Sequence, residues 1–278
     1  MNKTFSIALA LGAVLLAGPA WGTDDRPIDE RRPLKADARV SVDNVAGLIE
    51  VEAWDKRELQ LTGTLSGDAE RLEISGDESS LSIEVKLPFI SRNPGDTTLR
   101  LKVPAGITLD AEGVSADIRV RGLTGPVKAD SVSGDIVVDV ASKKVNLGTV
   151  SGDITLQTAA EETRVATVSG DITVRGTARG ELRGESVSGD LEVEVDLTRD
   201  SDVSVETLSG NVVLTLPRLP EGKIEMETFS GEVTSAWPAT PGRSAKGGHH
   251  DKEVRHDGGG KGRVRLHSFS GDIELKKK

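Results

Sequence analysis

The residues with the clearest chemical potential are acids, one replaced by asparagine, that recur every 18–21 residues before a last step of 40. Asp117, Asp135, Asp153, Asp171, Asp190, Asn211, Glu232 and Asp272 each stand two places after a serine. Stacked in register, such acids would repel. Water, main-chain amides or calcium would relieve them, calcium taking six to eight oxygens from the acids, nearby serines and carbonyls. Asp135, Asp153, Asp171 and Asp190 are therefore candidate calcium ligands, although the Gly-Gly-x-Gly-x-Asp nonapeptide of calcium-binding β-rolls is missing. The plainer expectation is a column of solvated acids bonded to turn amides. His249, His250 and His256, beside Asp251 and Asp257, are candidate transition-metal ligands. A metal site prefers a framework with defined spacing, and the plainer reading of this stretch is a hydrophilic loop. Nucleophilic catalysis has little to work with. There is no cysteine and no Gly-x-Ser-x-Gly elbow, and three of the four histidines crowd into one glycine-rich segment. No catalytic and no cofactor-binding residue is assigned.

The acids belong to a repeated phrase. It reads Ser/Thr, Val/Leu/Phe, Ser, Gly, Asp/Asn/Glu, then Ile/Val/Leu, with its central serine at Ser133, Ser151, Ser169, Ser188, Ser209, Ser230 and Ser270 and a degraded copy around Ser115. A period near 20 residues is the mark of a solenoid. Counting from the serine, apolar residues recur at −6 (Thr163 excepted), at −1 (Val, Leu or Phe), at +3 and at +5 (Ser235 excepted). In extended chain, −1, +1, +3 and +5 share one face, so they are expected to point inward, with serine and acid outward. The −6 column has the other parity, which predicts a kink near −3 and −2. The glycine at +1 is expected where a side chain would not fit. Far corners are marked by Gly122, Gly125, Pro126, Gly176, Gly180, Pro217, Pro220 and Gly222. The expected fold is all-β, a parallel β-solenoid of single-strand coils of about 18–21 residues.

The domain reading follows. Residues 1–22 have Lys3, an apolar run from Phe5 to Leu16 and an Ala20-Trp21-Gly22 cleavage site, the pattern of a secretory signal peptide. Residues 23–37, charged and holding two prolines, read as a linker. Residues 38–278 form the solenoid domain: irregular β coils capping the N-terminus over 38–105, then regular repeats over 106–278. A separate small β-sandwich is the alternative for the first part. A mobile insertion is expected over 238–262. The closing Lys276–Lys278 would blunt an open solenoid end.

A net charge of −10 argues against nucleic acid and against anionic lipid surfaces. No second apolar run could span a membrane. Export without cysteine points to a periplasmic or extracellular setting. Aromatics make up 3% of the chain and tyrosine is absent, so stacking platforms for sugar rings are scarce. Thr149/Ser151, Thr167/Ser169, Ser186/Ser188, Thr207/Ser209 and Thr228/Ser230 would form two outward hydroxyl columns if −2 and 0 both face solvent. That array is similar to those of ice-binding solenoids, or is simply a self-satisfied ladder.

Gly47-Leu48-Ile49-Glu50-Val51-Glu52-Ala53-Trp54-Asp55, Leu101-Lys102-Val103-Pro104-Ala105-Gly106 and the Ser-Gly-Asp-Ile repeats together resemble a bacterial family of exported, adhesin-like β-strand-repeat proteins, a domain of unknown function. The resemblance covers about residues 38–278. It implies a β-solenoid-like fold and an envelope or extracellular location, and no catalytic residues. The reading is a non-enzymatic envelope protein, an adhesin or scaffold whose partner is an unidentified envelope protein or glycan. The alternative is a polysaccharide lyase or hydrolase on a β-helix, for which clustered acids and a basic residue in one groove would speak.

Overall fold

The computed structural model describes residues 25–67, 69–88, 95–238, 240–241 and 252–278. The leader expected over 1–22 lies outside them, as do His249 and His250. In the described residues the regular structure is strand only. It starts with β1 (Arg26–Pro33), β2 (Arg39–Trp54), β3 (Glu58–Leu65), β4 (Arg71–Gly76), β5 (Ser80–Lys86), β6 (Thr97–Pro104) and β7 (Thr108–Arg121). Paired short strands follow: β8 (Val127–Ser131) and β9 (Ile136–Val140), β10 (Lys144–Thr149) and β11 (Ile154–Thr158), β12 (Glu162–Ser169) and β13 (Ile172–Ala178), β14 (Glu181–Ser188) and β15 (Leu191–Leu197), β16 (Asp202–Ser209) and β17 (Val212–Leu216). The chain closes with β18 (Gly222–Ser230), β19 (Val233–Ser235), β20 (Thr240–Pro241), β21 (Lys252–Asp257), β22 (Gly262–Ser270) and β23 (Ile273–Lys277).

Each repeat is one coil of two walls. Strands before the Ser-Gly-Asp phrase stack in parallel on their counterparts, as in Val127↔Val145 and Val145↔Thr163. Strands after it form a second parallel stack, as in Ile136↔Ile154↔Ile172. One coil cannot bury its own apolar side; stacking at about 4.8 Å closes the core and satisfies the backbone. The core lies between the walls: Val145 and Leu147 from one side, Ile154 and Leu156 from the other, all buried. The two long strands β2 and β7 run through the corner and form coils in their own right, paired over both halves.

Four expectations change. First, the kink demanded by the −6 column falls at the phrase itself. Positions −6, −4 and −2 point inward along the first wall, the chain turns at serine-glycine-acid, and parity resets so that +3 and +5 point inward again. Thr149, Thr167 and Thr207 at −2 are therefore buried, and the valines at −1 face solvent. An outward double hydroxyl column, and with it the ice-binding array, does not form.

Second, residues 26–33, read as linker, form β1, paired antiparallel with β3 from Arg26↔Leu65 to Pro33↔Glu58. Ile28 and Leu34 are buried, which is what holds this charged segment down. The 38–105 region is continuous with the solenoid: β2 pairs in parallel with β5 and β6 on one side and β7 on the other. The outer edges of β5 and β6 are covered antiparallel by β4 and β3.

Third, part of the 238–262 insertion is structured. β21 pairs antiparallel with β18, and β20 with β21.

Fourth, the last coil is not at the end of the stack. β22 sits between β16 and β18, and β23 between β17 and β19. Lys278 extends its main chain to the Leu216 carbonyl (3.0 Å) and its side chain to Glu194 (2.6 Å). The strand that carries the terminal lysines therefore lies between β17 and β19 and is not the open end of the stack.

Candidate binding edge

The corner is built by three residues of the phrase. The buried hydroxyl at −2 accepts the N–H of its own coil's glycine: Gly134 to Ser131 Oγ at 3.0 Å, Gly152 to Thr149 Oγ1 at 3.2 Å. The same hydroxyl donates to the +1 carbonyl of the neighbouring coil: Ser131 to Ala116 at 3.1 Å, Ser268 to Gly210 at 3.0 Å, Thr228 to Gly271 at 2.8 Å, with longer bonds from Thr149, Thr167 and Thr207. At the Ser131 and Thr149 corners two otherwise orphaned backbone groups are satisfied this way; Gly189, Gly210 and Gly271 instead donate their N–H to the serine carbonyl of the neighbouring coil. Ser186 is the exception, a buried hydroxyl with no partner among the described residues. The glycine is required by close approach. A Cβ on Gly152 would lie 2.2 Å from the Gly134 carbonyl oxygen, and one on Gly189 would lie 1.9 Å from that of Gly170.

The acid at +2 faces out and forms a ladder. Oδ1 of Asp117 accepts the Asp135 N–H (3.2 Å), Asp135 that of Asp153 (3.0 Å), Asp153 that of Asp171 (2.9 Å), and Asp171 that of Asp190 (2.9 Å). The ladder continues through Asn211 and Asp272 to the Glu232 N–H, following the spatial order of the coils. Main-chain amides thus bind one oxygen of every aspartate in the column, a charge-assisted bond that offsets repulsion along it. Of the candidate metal ligands, Asp135, Asp153, Asp171 and Asp190 sit one per coil in this ladder. Among the described residues no three His, Asp or Glu side chains are arranged to hold a metal ion. His256 is far along the stack on β21, opposite Ile224 of β18.

The residues missed as surface are those at −1. Val114, Val132, Val150, Val168, Val187, Leu208, Phe269 and Phe229, in that spatial order, run up one edge with exposures between 43% (Val187) and 51% (Leu208). The two phenylalanine rings stack at 4.9 Å and 7° between planes. Eight half-exposed apolar side chains in one line offer on the order of 500 Å² of contiguous apolar surface, as large as the largest patch of an ordinary monomer. The signal was available: an apolar residue, six times aliphatic and twice phenylalanine, recurring at −1 in all eight repeats, next to a −6 column of the opposite parity.

Acids flank the stripe on one side at every coil but that of Asn211, and on the other at five of eight coils. On one side runs the +2 ladder, in which only Asp117 has an ion-pair partner among the described residues, Arg119 at 3.6 Å. On the other runs the −3 column of Glu112, Asp130, Gly148, Ala166, Glu185, Glu206, His267 and Glu227. Lys128 is shared among Asp110, Glu112 and Asp130 at 2.8–3.1 Å, and its ammonium is held above its ordinary pKa, chiefly by the hydrogen bond to Glu112. Asp43 continues this column beyond Glu112. Its carboxyl is pushed above the ordinary value by burial first, then by Glu112, Glu84 and Asp110. A shallow cleft of about 560 Å³ opens on the second wall beside the ladder, lined by Asp171, Asp190, Glu192, Asn211, Asp272, Glu274 and Lys276 among others.

Several solved structures match this chain over most of its length at low identity. A putative lipid binding protein from Parabacteroides distasonis is 14% identical, with a TM-score of 0.47 over 92% of this chain and 98% of that one. A putative adhesin from the same organism is 13% identical, TM-score 0.44, covering 91% and 98%. A putative adhesin from Bacteroides fragilis is 15% identical, TM-score 0.40, covering 90% and 97%. No functionally curated protein matches the chain. The family model described as Toastrack DUF4097 matches residues 37–276, nearly the whole described fold, and the chain therefore belongs to the Toastrack DUF4097 family.

Proposed function

We propose that this protein is a non-enzymatic binding module of the cell envelope, exported by its N-terminal leader, whose contact surface for a partner protein is the −1 stripe. The observation that carries this reading is the exposure of one aliphatic or aromatic side chain on every coil at the same edge. Folding the coil does not require it, since the core is complete from −6, −4, +3 and +5. A glycan is the weaker partner class, because only Phe229 and Phe269 on this edge offer aromatic faces. The test is cross-linking capture from envelope extract with the wild-type chain and with V150S/V168S/V187S. The reading expects a specific protein that the triple variant fails to retain. Equal capture by both would remove the stripe from the function.

One observation favours a second reading. The second-wall cleft brings acids from adjacent coils together with Lys276, the grouping a polysaccharide lyase or hydrolase would use. Against it, Asp171 and Asp190 each give an oxygen to a main-chain amide and Lys276 is paired with Glu274 at 3.0 Å. Turnover in a polysaccharide screen, abolished by E192Q or E274Q, would establish the enzyme.

A further inference from the structure

The stripe's surroundings restrict what can cover it. It is one residue wide; carboxylates, with Asn211 among them, run the length of the ladder side and, on the other side, stand at Glu112, Asp130, Glu185, Glu206 and Glu227, with a gap at Gly148 and Ala166. On the ladder side, Asp135, Asp153, Asp171 and Asp190 carry no ion pair among the described residues; on the other, neither do Glu206 and Glu227. A second copy of the chain would bring the same acids face to face, which costs energy wherever like charges meet without counter-charge. A bilayer would have to take the flanking carboxylates into its interface along with the valines, and anionic headgroups would repel them.

Resting on the reading above that the stripe is the contact surface, we infer that its partner is a cationic amphipathic helix of another protein. Coils repeat at about 4.8 Å and helical turns at about 5.4 Å. One apolar residue per turn therefore keeps step with one stripe residue per coil for several turns, within the reach of side-chain flexibility. Alternate residues of an extended strand advance by about 6.8 Å and fall out of step after one coil. Lysine or arginine on the two flanks of the helix reaches the two acid columns while its stem covers the valines. The apolar line supplies burial, and the acids select sign and speed encounter.

The probe is a synthetic 18-residue helix-forming peptide with a leucine line flanked by Lys and Arg. Its controls are a same-composition scramble and a version with Glu replacing every Lys and Arg. Binding to the full chain is followed by anisotropy, and peptide helicity by circular dichroism. The amphipathic cationic peptide is expected to bind and gain helix. V150S/V168S/V187S should weaken it at least tenfold. E206Q/E227Q should weaken it several-fold and flatten its salt dependence, and V137S on the second wall should leave it unchanged. Equal binding of the scramble or of the Glu version would overturn the inference, as would an unchanged affinity in the stripe variant. So would stripe-dependent self-association in sedimentation, which makes a second copy the occupant, or stripe-dependent binding to vesicles. If the stripe variant loses its envelope partner yet the cationic peptide does not bind, the contact surface stands and the helix is refuted.

Discussion

Gly152 and Gly148 lie four residues apart in one coil, and the structure predicts opposite outcomes when each becomes alanine. Neither has positive φ, so neither substitution is opposed by a left-handed backbone. At Gly152 the new Cβ would sit 2.2 Å from the Gly134 carbonyl oxygen and 2.7 Å from its carbon, atoms held in the next coil. Ordinary contact is about 3.5 Å, so the coils must part locally by about 1 Å. That threatens the Ile136 N–H to Asp153 carbonyl bond at 2.9 Å and the Asp153 N–H to Asp135 bond at 3.0 Å. Overpacking costs about 1–3 kcal/mol, and each weakened bond about 1 kcal/mol, so we expect about 3 kcal/mol in all. At Gly148 the Cβ meets only the Asp130 carboxylate, at 2.6 Å, the free end of an exposed side chain that can swing aside. The loss of part of the Lys128 contact is about offset by the lower entropy of the unfolded chain, for a net change below about 1 kcal/mol. Thermal unfolding followed by circular dichroism should show G152A melting roughly 6–12 °C below wild type and G148A within about 3 °C. Equal midpoints for the two variants would refute close coil approach as the reason for the glycine in the phrase.

Three further outcomes follow from the same geometry. T149V leaves the buried Gly152 N–H without its acceptor and should cost about 1–3 kcal/mol in denaturant titration, while T149S should be close to neutral. Deleting 262–278 opens a slot between β16 and β18 and removes Val264, Leu266, Ile273 and Leu275 from the core; the truncated chain should melt well below wild type, and a 262–278 peptide added in trans should restore part of the loss. Asp43, with its carboxyl raised in the folded state, destabilises the fold when ionised. D43N should therefore raise the melting point at pH 7 by about a degree or two, with the gain disappearing as pH falls through the raised folded value and below the ordinary carboxylate value, where Asp43 is neutral in both states.

The period of 18–21 residues made the stacked-coil architecture legible, and the apolar residues at −6, +3 and +5 are buried on every coil except at Val233 of β19, the end of the stack. The acid ladder was legible too, down to its bonding to main-chain amides. The stripe is not, because parity counted straight through the phrase puts the apolar residue at −1 on the inward face with +1, +3 and +5, and burial follows from apolar type only in one direction. What decides it is the parity reset at Ser-Gly-Asp, where a hydroxyl at −2, polar by type, goes inside to satisfy the corner. The coil order was illegible for another reason. Phe229-Ser230-Gly231-Glu232-Val233 and Phe269-Ser270-Gly271-Asp272-Ile273 carry the same phrase, so local pattern fits either coil to either slot. β1 was hidden by its charges and prolines, although Ile28 and Leu34 anchor it.

Because the chain has no cysteine, a single V168C variant reads its own surface. The decisive measurement is its maleimide labelling rate in the purified chain and in intact envelopes, beside V137C on the second wall as reference. An outward stripe covered by a partner predicts fast labelling of V168C when purified, strong protection in the envelope, and fast labelling of V137C in both. Protection of V168C in the purified chain would place the stripe inside, and equally fast labelling in both settings would show that nothing covers it.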